Sequence, residues 1–302
     1  MLKILVTDGM DTRSVQTLKN MGHEVTEQFF EPEELKVQVK NFNVVIVRSA
    51  TKVRKEIIDS ALETGNLKLI IRGGVGVDNI DVCYAESKGI KVRNTPNASS
   101  LAVAELALSH MFCLARFMGM ANITMREGKW NKKQYKGIEL SGKTLGLIGF
   151  GRIGRELAKK AKAMGMKIIY NDILGPAKDC PEYSFVSLDT LLADSDFISL
   201  HIPGNEDKSP VVGTLEFSKM KDGAYLINCA RGNVVNESDL LEALNSGKLA
   251  GAGIDVFSEE PTKNMQLVNH EKVSVTPHIG ASTIEAQKRI GAEIISIIKE
   301  NF

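Results

Sequence analysis

Short runs of apolar, mostly β-branched residues alternate with longer stretches whose apolar positions recur at helical spacing, from one end of the chain to the other. That alternation predicts parallel strands covered by helices, because parallel neighbours need a crossover between them. In the first third the strand candidates are residues 3–9 (KILVTDG), 43–49 (NVVIVRS), 67–73 (LKLIIRG) and 90–96 (IKVRNTP), enough for a small α/β unit. A long apolar segment follows at 101–120, LAVAELALSHMFCLARFMGM, its start signalled by Pro96 and the capping candidates Asn97, Ser99 and Ser100. It is expected to form one helix over residues 98–120. After a polar, basic segment at 126–137 (REGKWNKKQYKG) come six more strand candidates: TLGLIGFG, MKIIYND, DFISLHIP, AYLINCARG, GAGIDVF and VSVTPHIG. Six strands with helices between them make a complete doubly wound sheet. Residues 282–302 predict one closing helix with Ile290, Ile294, Ile297 and Ile298 at its apolar positions.

At 302 residues the chain exceeds one average domain and suits two, each able to bury its own core. Charge acts by exclusion: 38 basic against 37 acidic residues leave a net of +1, so no overall field draws nucleic acid or an anionic membrane. The N-terminal apolar run ends at Asp8, too short for a signal-peptide core. Glu105, His110 and Arg116 interrupt the apolar segment, which argues against a membrane span. Cysteines at 83, 113, 180 and 229 show no metal-site spacing, so free thiols in a reducing cytosol, with no bound metal, are expected. Small molecules or proteins remain as partners.

Within LGLIGFGRIGREL, residues 145–157, stands Gly149-Phe150-Gly151-Arg152-Ile153-Gly154. A lone GxGxxG is a weak signal, because turns need glycine for other reasons. Here it follows a strand candidate, opens a helical stretch, and precedes a second strand ending in Asp172, 18 residues past Gly154. That context fits a dinucleotide site: the glycines admit a pyrophosphate to the helix N-terminus, and the acid about twenty residues on holds the ribose hydroxyls. A carboxylate there repels a 2′-phosphate, and no arginine follows Asp172 directly, so NAD is expected rather than NADP. A glycine turn without a ligand is the plain alternative.

Ligands of an open parallel sheet lie beyond the carboxyl ends of its strands. The second set delivers there Gly149 to Gly154, Asp172, His201-Ile202-Pro203, Cys229-Ala230-Arg231, Asp255 and Pro277-His278. Hydride transfer between a nicotinamide and a 2-hydroxy acid needs a cation for the carboxylate and carbonyl, a base near neutrality, and an anion to orient that base. Arg231, His278 and Glu260 supply these types: a planar fork that never deprotonates, an imidazole that titrates near working pH, and a carboxylate that fixes its tautomer. Each alone has a structural alternative, as a solvated loop arginine, a satisfied histidine, or a helix N-terminal charge at Glu259-Glu260. His201 is a rival base that residue chemistry does not separate from His278. Cys229, with no neighbouring base in sequence, is expected to be a small residue against the cofactor rather than a nucleophile.

The strings GFGRIGRELA, LINCARGNVV, GIDVFSEEP and TPHIGAST, with VRSATKV, GGVGVDNID and RNTPNASSLAVAELAL in the first third, resemble the D-isomer-specific 2-hydroxyacid dehydrogenases over essentially the whole chain, nearest to their phosphoglycerate-oxidising branch. The resemblance implies two doubly wound α/β domains with parallel sheets and an active-site cleft between them. A smaller, flavodoxin-like substrate domain would hold residues 1–96 and 282–302, and a Rossmann-type NAD-binding domain residues 97–281. It implies Arg231 as the catalytic, substrate-binding arginine, with Glu260 pairing the acid/base His278, which selects His278 over His201. Cofactor contacts carried over are Gly149, Gly151, Arg152, Ile153, Gly154, Asp172, His201, Ile202, Pro203, Cys229, Ala230, Asp255, Gly280 and Ala281. Substrate contacts are Arg48, Arg72, the amides of Gly73, Gly74, Val75 and Gly76, and Lys132, the arginines suiting a phosphorylated 2-hydroxy acid. Val75 counts as a candidate on both sides. The implied activity is NAD-dependent oxidation of D-3-phosphoglycerate to 3-phosphohydroxypyruvate, as in phosphorylated serine biosynthesis, in the cytoplasm, by a homodimer joined through helix 98–120.

Several positions depart from the family pattern. Val75 and Ile202 stand where threonines are frequent, and the aromatic-Asp-Pro expected after the second strand is Tyr170-Asn171-Asp172-Ile173. With 24 residues after His278, the C-terminal regulatory domain of many phosphoglycerate-oxidising members is expected to be missing, and feedback inhibition by serine with it. A glyoxylate/hydroxypyruvate or D-lactate-type reductase shares the same catalytic trio. A rival of another class is an NADH-responsive, corepressor-like binding protein on the same fold.

Overall fold

The computed structural model describes residues 1–205, 207 and 209–302. They form two compact units, Met1–Ser99 with Ala281–Phe302, and Ser100–Gly280.

The first unit is built on strands β1 (Lys3–Val6), β2 (Glu24–Glu27), β3 (Val44–Val47), β4 (Leu69–Arg72) and β5 (Lys91–Asn94), all parallel in the order β2-β1-β3-β4-β5. This is the flavodoxin-type order. Alternation along the strands gives the sheet two apolar faces. Ile4, Val6, Ile46, Leu69 and Ile71 pack with Ile290, Ile294, Ile297 and Ile298 of the helix Ile284–Asn301, and Leu5, Val45, Val47 and Ile70 pack with Ile57 and Ile58 on the other side. That helix starts where the Thr283 side chain accepts the Ala286 N–H. β2, absent from the hydrophobic pattern, is an edge strand with no buried position, so it left no apolar run to find.

The second unit holds β6 (Thr144–Ile148), β7 (Lys167–Asn171), β8 (Ser184–Phe185), β9 (Phe197–Leu200), β10 (Ala224–Asn228), β11 (Leu249–Ile254) and β12 (Val273–Val275). They run parallel in the order β12-β11-β10-β9-β6-β7-β8, so the direction of winding reverses between β6 and β9. β8 is a two-residue exposed edge, too short to register as a pattern.

The single helix expected over 98–120 is in fact two, Ser100–Ala115 and Met118–Arg126, bent by 63°. The break lies at Phe117, with φ of +55°. Returning chain takes the place of the next helical turn: the Ile138 N–H donates to the Ala115 carbonyl at 2.9 Å, and a Cβ on Gly137 would overlap that same oxygen. Hydropathy carries no trace of a competitor 23 residues away. Among the described residues no single helix is long and apolar enough to cross a membrane, no His, Cys, Asp and Glu group could hold a metal, and the four cysteines are free.

Candidate active site

The strands flanking the reversal of the sheet, β6 and β9, each deliver a segment singled out from sequence. β6 runs into Gly149, whose φ of +92° is strained for any side chain. A Cβ there would also press on the His201 carbonyl, and one on Gly154 would overlap the carbonyl of Gly149. Both glycines are therefore demanded by the protein itself. Gly151 is different: it is the N-cap of the helix Arg152–Ala163, with φ of −75°, no side-chain cap, and nothing within 4 Å of a Cβ placed on it. Open space beside an uncapped helix N-terminus suits a pyrophosphate. Asp172, directly after β7, accepts the N–H groups of Phe150 at 2.7 Å and Leu174 at 2.9 Å, which ties the acid to the glycine turn and leaves lone pairs for ribose hydroxyls. Ile173 and Leu174 beside it are 97% and 89% exposed, an aliphatic pair suited to a flat apolar ring that sequence reasoning missed. These residues fit NAD. Around them Arg152 is exposed at the first helical position, Ile153 and Ile202 are half-buried, and Pro203 is exposed.

Gly151 gives a direct check. Gly151→Ala should fold, with at most the small loss of a weaker N-cap, yet bind NADH about ten- to a hundredfold more weakly, the about 1–3 kcal/mol of overpacking. Equal affinities in a fluorescence titration would mean that the open space is not the cofactor's.

Three loops beyond β10, β11 and β12 bring the catalytic candidates together. His278 has φ of +53°, uncommon for a residue with a side chain. Asp255, 1% exposed at the end of β11, holds it there. Its carboxylate accepts the Ile279 N–H at 2.8 Å, the Gly280 N–H at 2.9 Å and the Thr276 hydroxyl at 2.6 Å, while its carbonyl accepts the His278 N–H at 2.8 Å. So posed, His278 places Nδ1 2.7 Å from Glu260 Oε2 and keeps Nε2 away from that carboxylate. Burial raises the pKa of Glu260, but the His278 hydrogen bond and the charges of His278 and Arg231 outweigh it and hold the carboxyl below its ordinary value.

Arg231 leaves β10 on a turn pinned by Asn228, which accepts the Ala230 N–H at 3.0 Å and donates to the Arg231 carbonyl at 2.9 Å. A Cβ on Gly232 would overlap the Phe257 carbonyl, so this glycine is what lets the Arg231 turn lie against the segment leading to Glu260. Asn228 and Gly232 were visible in LINCARGNVV, but their partners lie elsewhere in the chain. Cys229 and Ala230 are buried, and burial pushes the Cys229 thiol far up, which leaves it unreactive.

The structure separates the two histidines. His201 Nε2 lies 3.0 Å from Ser199 Oγ, no carboxylate among the described residues hydrogen-bonds its ring, and burial lowers its pKa to about 4. It stays neutral near pH 7, and among the described residues it has no paired anion of the kind a proton-transfer histidine uses.

The remaining candidates lie in the first unit, apart from Lys132, which is exposed in the second. Arg48, after β3, lines a cavity of about 510 Å³ with Gly9, Met10, Thr12, Thr283 and Gln287, and among the described residues its guanidinium has no hydrogen-bond partner. Arg72 folds over Gly74, where φ is +152° and a Cβ would overlap the guanidinium. The expectation that four amides of this loop receive a carboxylate needs correction. The Gly73 N–H donates to Val47 O, extending the strand pairing, and the Gly74 N–H donates to Arg72 O in a tight local turn, which leaves the amides of Val75 and Gly76. The Val75 carbonyl accepts from Asn94 Nδ2, and Ala281 O accepts from Gln287 Nε2, so both residues are held within the first unit.

Comparison with known proteins agrees with this geometry. The family described as D-isomer specific 2-hydroxyacid dehydrogenase, NAD binding domain, matches residues 108–280. The chain is similar to hydroxypyruvate reductase of Thermotoga maritima, 48% identical over 99% of this chain and 98% of that protein. It is 44% identical to D-3-phosphoglycerate dehydrogenase of Methanocaldococcus jannaschii over 99% of this chain, spanning 57% of that protein's length. Its fold matches the crystal structure of D-lactate dehydrogenase from Aquifex aeolicus complexed with NAD and lactic acid, with a TM-score of 0.86 at 30% identity over 98% of this chain and 95% of that one.

Proposed function

Since the chain belongs to the D-isomer-specific 2-hydroxyacid dehydrogenases, with NAD as cofactor, we propose that it interconverts D-3-phosphoglycerate and 3-phosphohydroxypyruvate. The hydride leaving C2 in the oxidation is taken up by the nicotinamide when NAD is bound. Every other task falls to side chains. Arg231 grips the carboxylate bidentately and polarises the C2 oxygen. His278 Nε2 takes the hydroxyl proton, and returns it in reduction, while Glu260 fixes the tautomer and stabilises the imidazolium. Gly151, the helix N-terminus at Arg152, Asp172 and the Ile173-Leu174 pair hold the dinucleotide. The same set performs either direction.

Arg48 carries the choice of a phosphorylated substrate: a cation lining an open cavity, its guanidinium without a hydrogen-bond partner among the described residues, suits a dianion. Arg72 is assigned to the same phosphate. A second reading, reduction of unphosphorylated hydroxypyruvate, is favoured by the relative matched along nearly its whole length. An NADH absorbance assay across D-3-phosphoglycerate, D-glycerate, D-lactate and their keto acids, with NAD and NADP compared, separates the two. Arg48→Ala and Arg72→Ala should each raise KM for D-3-phosphoglycerate about ten- to a hundredfold, as loss of a charge-assisted hydrogen bond does, with far less effect on hydroxypyruvate. If neither variant changes the phosphoglycerate kinetics, the phosphate assignment falls and the second reading stands.

We also infer a homodimer through the bent helix pair. Phe112, Met118, Ile123 and Met125 there are exposed apolar side chains, the kind of patch a monomer rarely keeps. Light scattering should give twice the 33.0 kDa chain mass; a particle of one chain at assay concentration would overturn it.

A further inference from the structure

His110 has no part in the chemistry above, yet the fold makes room for it. It is 2% exposed on the mostly apolar inner side of the helix Ser100–Ala115. A Cβ on Gly253, inside β11, would lie 2.6 Å from His110 Cβ and 2.9 Å from its Cγ. Glycine weakens a strand interior, so its presence there marks a close approach. The ring spans two hydroxyls of the β12 segment, with Nδ1 2.9 Å from Ser274 Oγ and Nε2 3.1 Å from Thr276 Oγ1.

The far end of this chain of contacts fixes every proton in it. The Asp255 carboxylate accepts two backbone N–H groups and lies 2.6 Å from Thr276 Oγ1, so the Thr276 hydroxyl donates to it. Having one proton, Thr276 Oγ1 must then accept from His110, which makes Nε2 a protonated nitrogen and, in the neutral ring, Nδ1 the acceptor for Ser274. We propose that His110 is a positioning residue: as the neutral Nε2–H tautomer it commits the Thr276 hydroxyl to Asp255, and so fixes the carboxylate that holds His278 in its left-handed turn. Burial lowers the pKa of His110, the Asp255 charge opposing, in keeping with a neutral ring. The proposal rests on His278 as the proton-transfer residue.

The test uses the full chain. Nitrogen-15 spectra at neutral pH should show His110 protonated at Nε2 alone. In reduction of hydroxypyruvate or its 3-phosphate, whichever is turned over faster, His110→Leu and Thr276→Val should each lower kcat about a hundredfold, the effect of a small misplacement of a reacting group. KM for NADH should not change. His110→Gln and Thr276→Ser, which keep the donor and the hydroxyl, should restore kcat. Should His110→Leu fail to fold, the Thr276 pair carries the test. An Nδ1–H or doubly protonated His110, or a folded Thr276→Val with wild-type kcat, overturns the proposal while His278→Gln stays inactive. Wild-type rates in His278→Gln itself would instead overturn the proton-transfer reading, and the proposal with it.

Discussion

His278→Gln should lower kcat by about 10²–10⁴, the range for loss of a positioned general acid/base, while the KM for NADH stays as it was. Glutamine keeps a polar group of similar size but cannot take and return the proton at the Nε2 position. A kcat within tenfold of wild type would remove His278 from proton transfer. Its partner adds a pH signature. The Glu260 carboxyl is held below its ordinary 4.5 in the folded chain. A carboxyl lowered by folding contributes stability above its unfolded value and loses it as pH falls through the folded one. Wild-type protein should therefore lose melting temperature on acidification below about pH 4.5 more steeply than Glu260→Gln, which has no carboxyl to protonate. Parallel melting curves for the two proteins would dissolve the pair.

Arg231→Ala should cost kcat/KM about 10²–10³, the usual loss when one donor to a developing oxyanion is removed, with NADH affinity retained in a fluorescence titration. Arg231→Lys should recover only part, because a point charge lacks the planar fork that grips carboxylate and C2 oxygen together. The Arg231 turn is held by Asn228 and accommodated by Gly232, so the alanine variant should keep its fold. Loss of NADH binding together with activity would mean that Arg231 organises the cofactor site and not the substrate.

Much of the site was legible because its elements announce themselves locally. β-branched runs marked the buried strands, and the glycine fingerprint with Asp172 marked the dinucleotide end of the second sheet. Arginine and histidine of the right types stood at predicted strand ends, with a glutamate shortly beyond another. What escaped shares one property: its partners are remote. The helix break depends on Ile138 reaching Ala115, and the Arg231 turn depends on Gly232 passing beneath Phe257. His110 meets Thr276 across 166 positions. The exposed Ile173-Leu174 pair lacks a periodic signal because the protein itself does not bury it.

The sequence by itself determined the fold class, the two sheets and the residue types available for chemistry, because strand and helix periodicities and glycine turns are short-range properties. Tertiary structure gave the two candidate histidines different surroundings. Both stand at the end of a strand, but one is held neutral by burial beside Ser199 with no paired carboxylate among the described residues, while the other is locked by Asp255 and paired with Glu260. Desolvation and ion pairing act through space, so the chemistry of the two residues alone could not tell them apart.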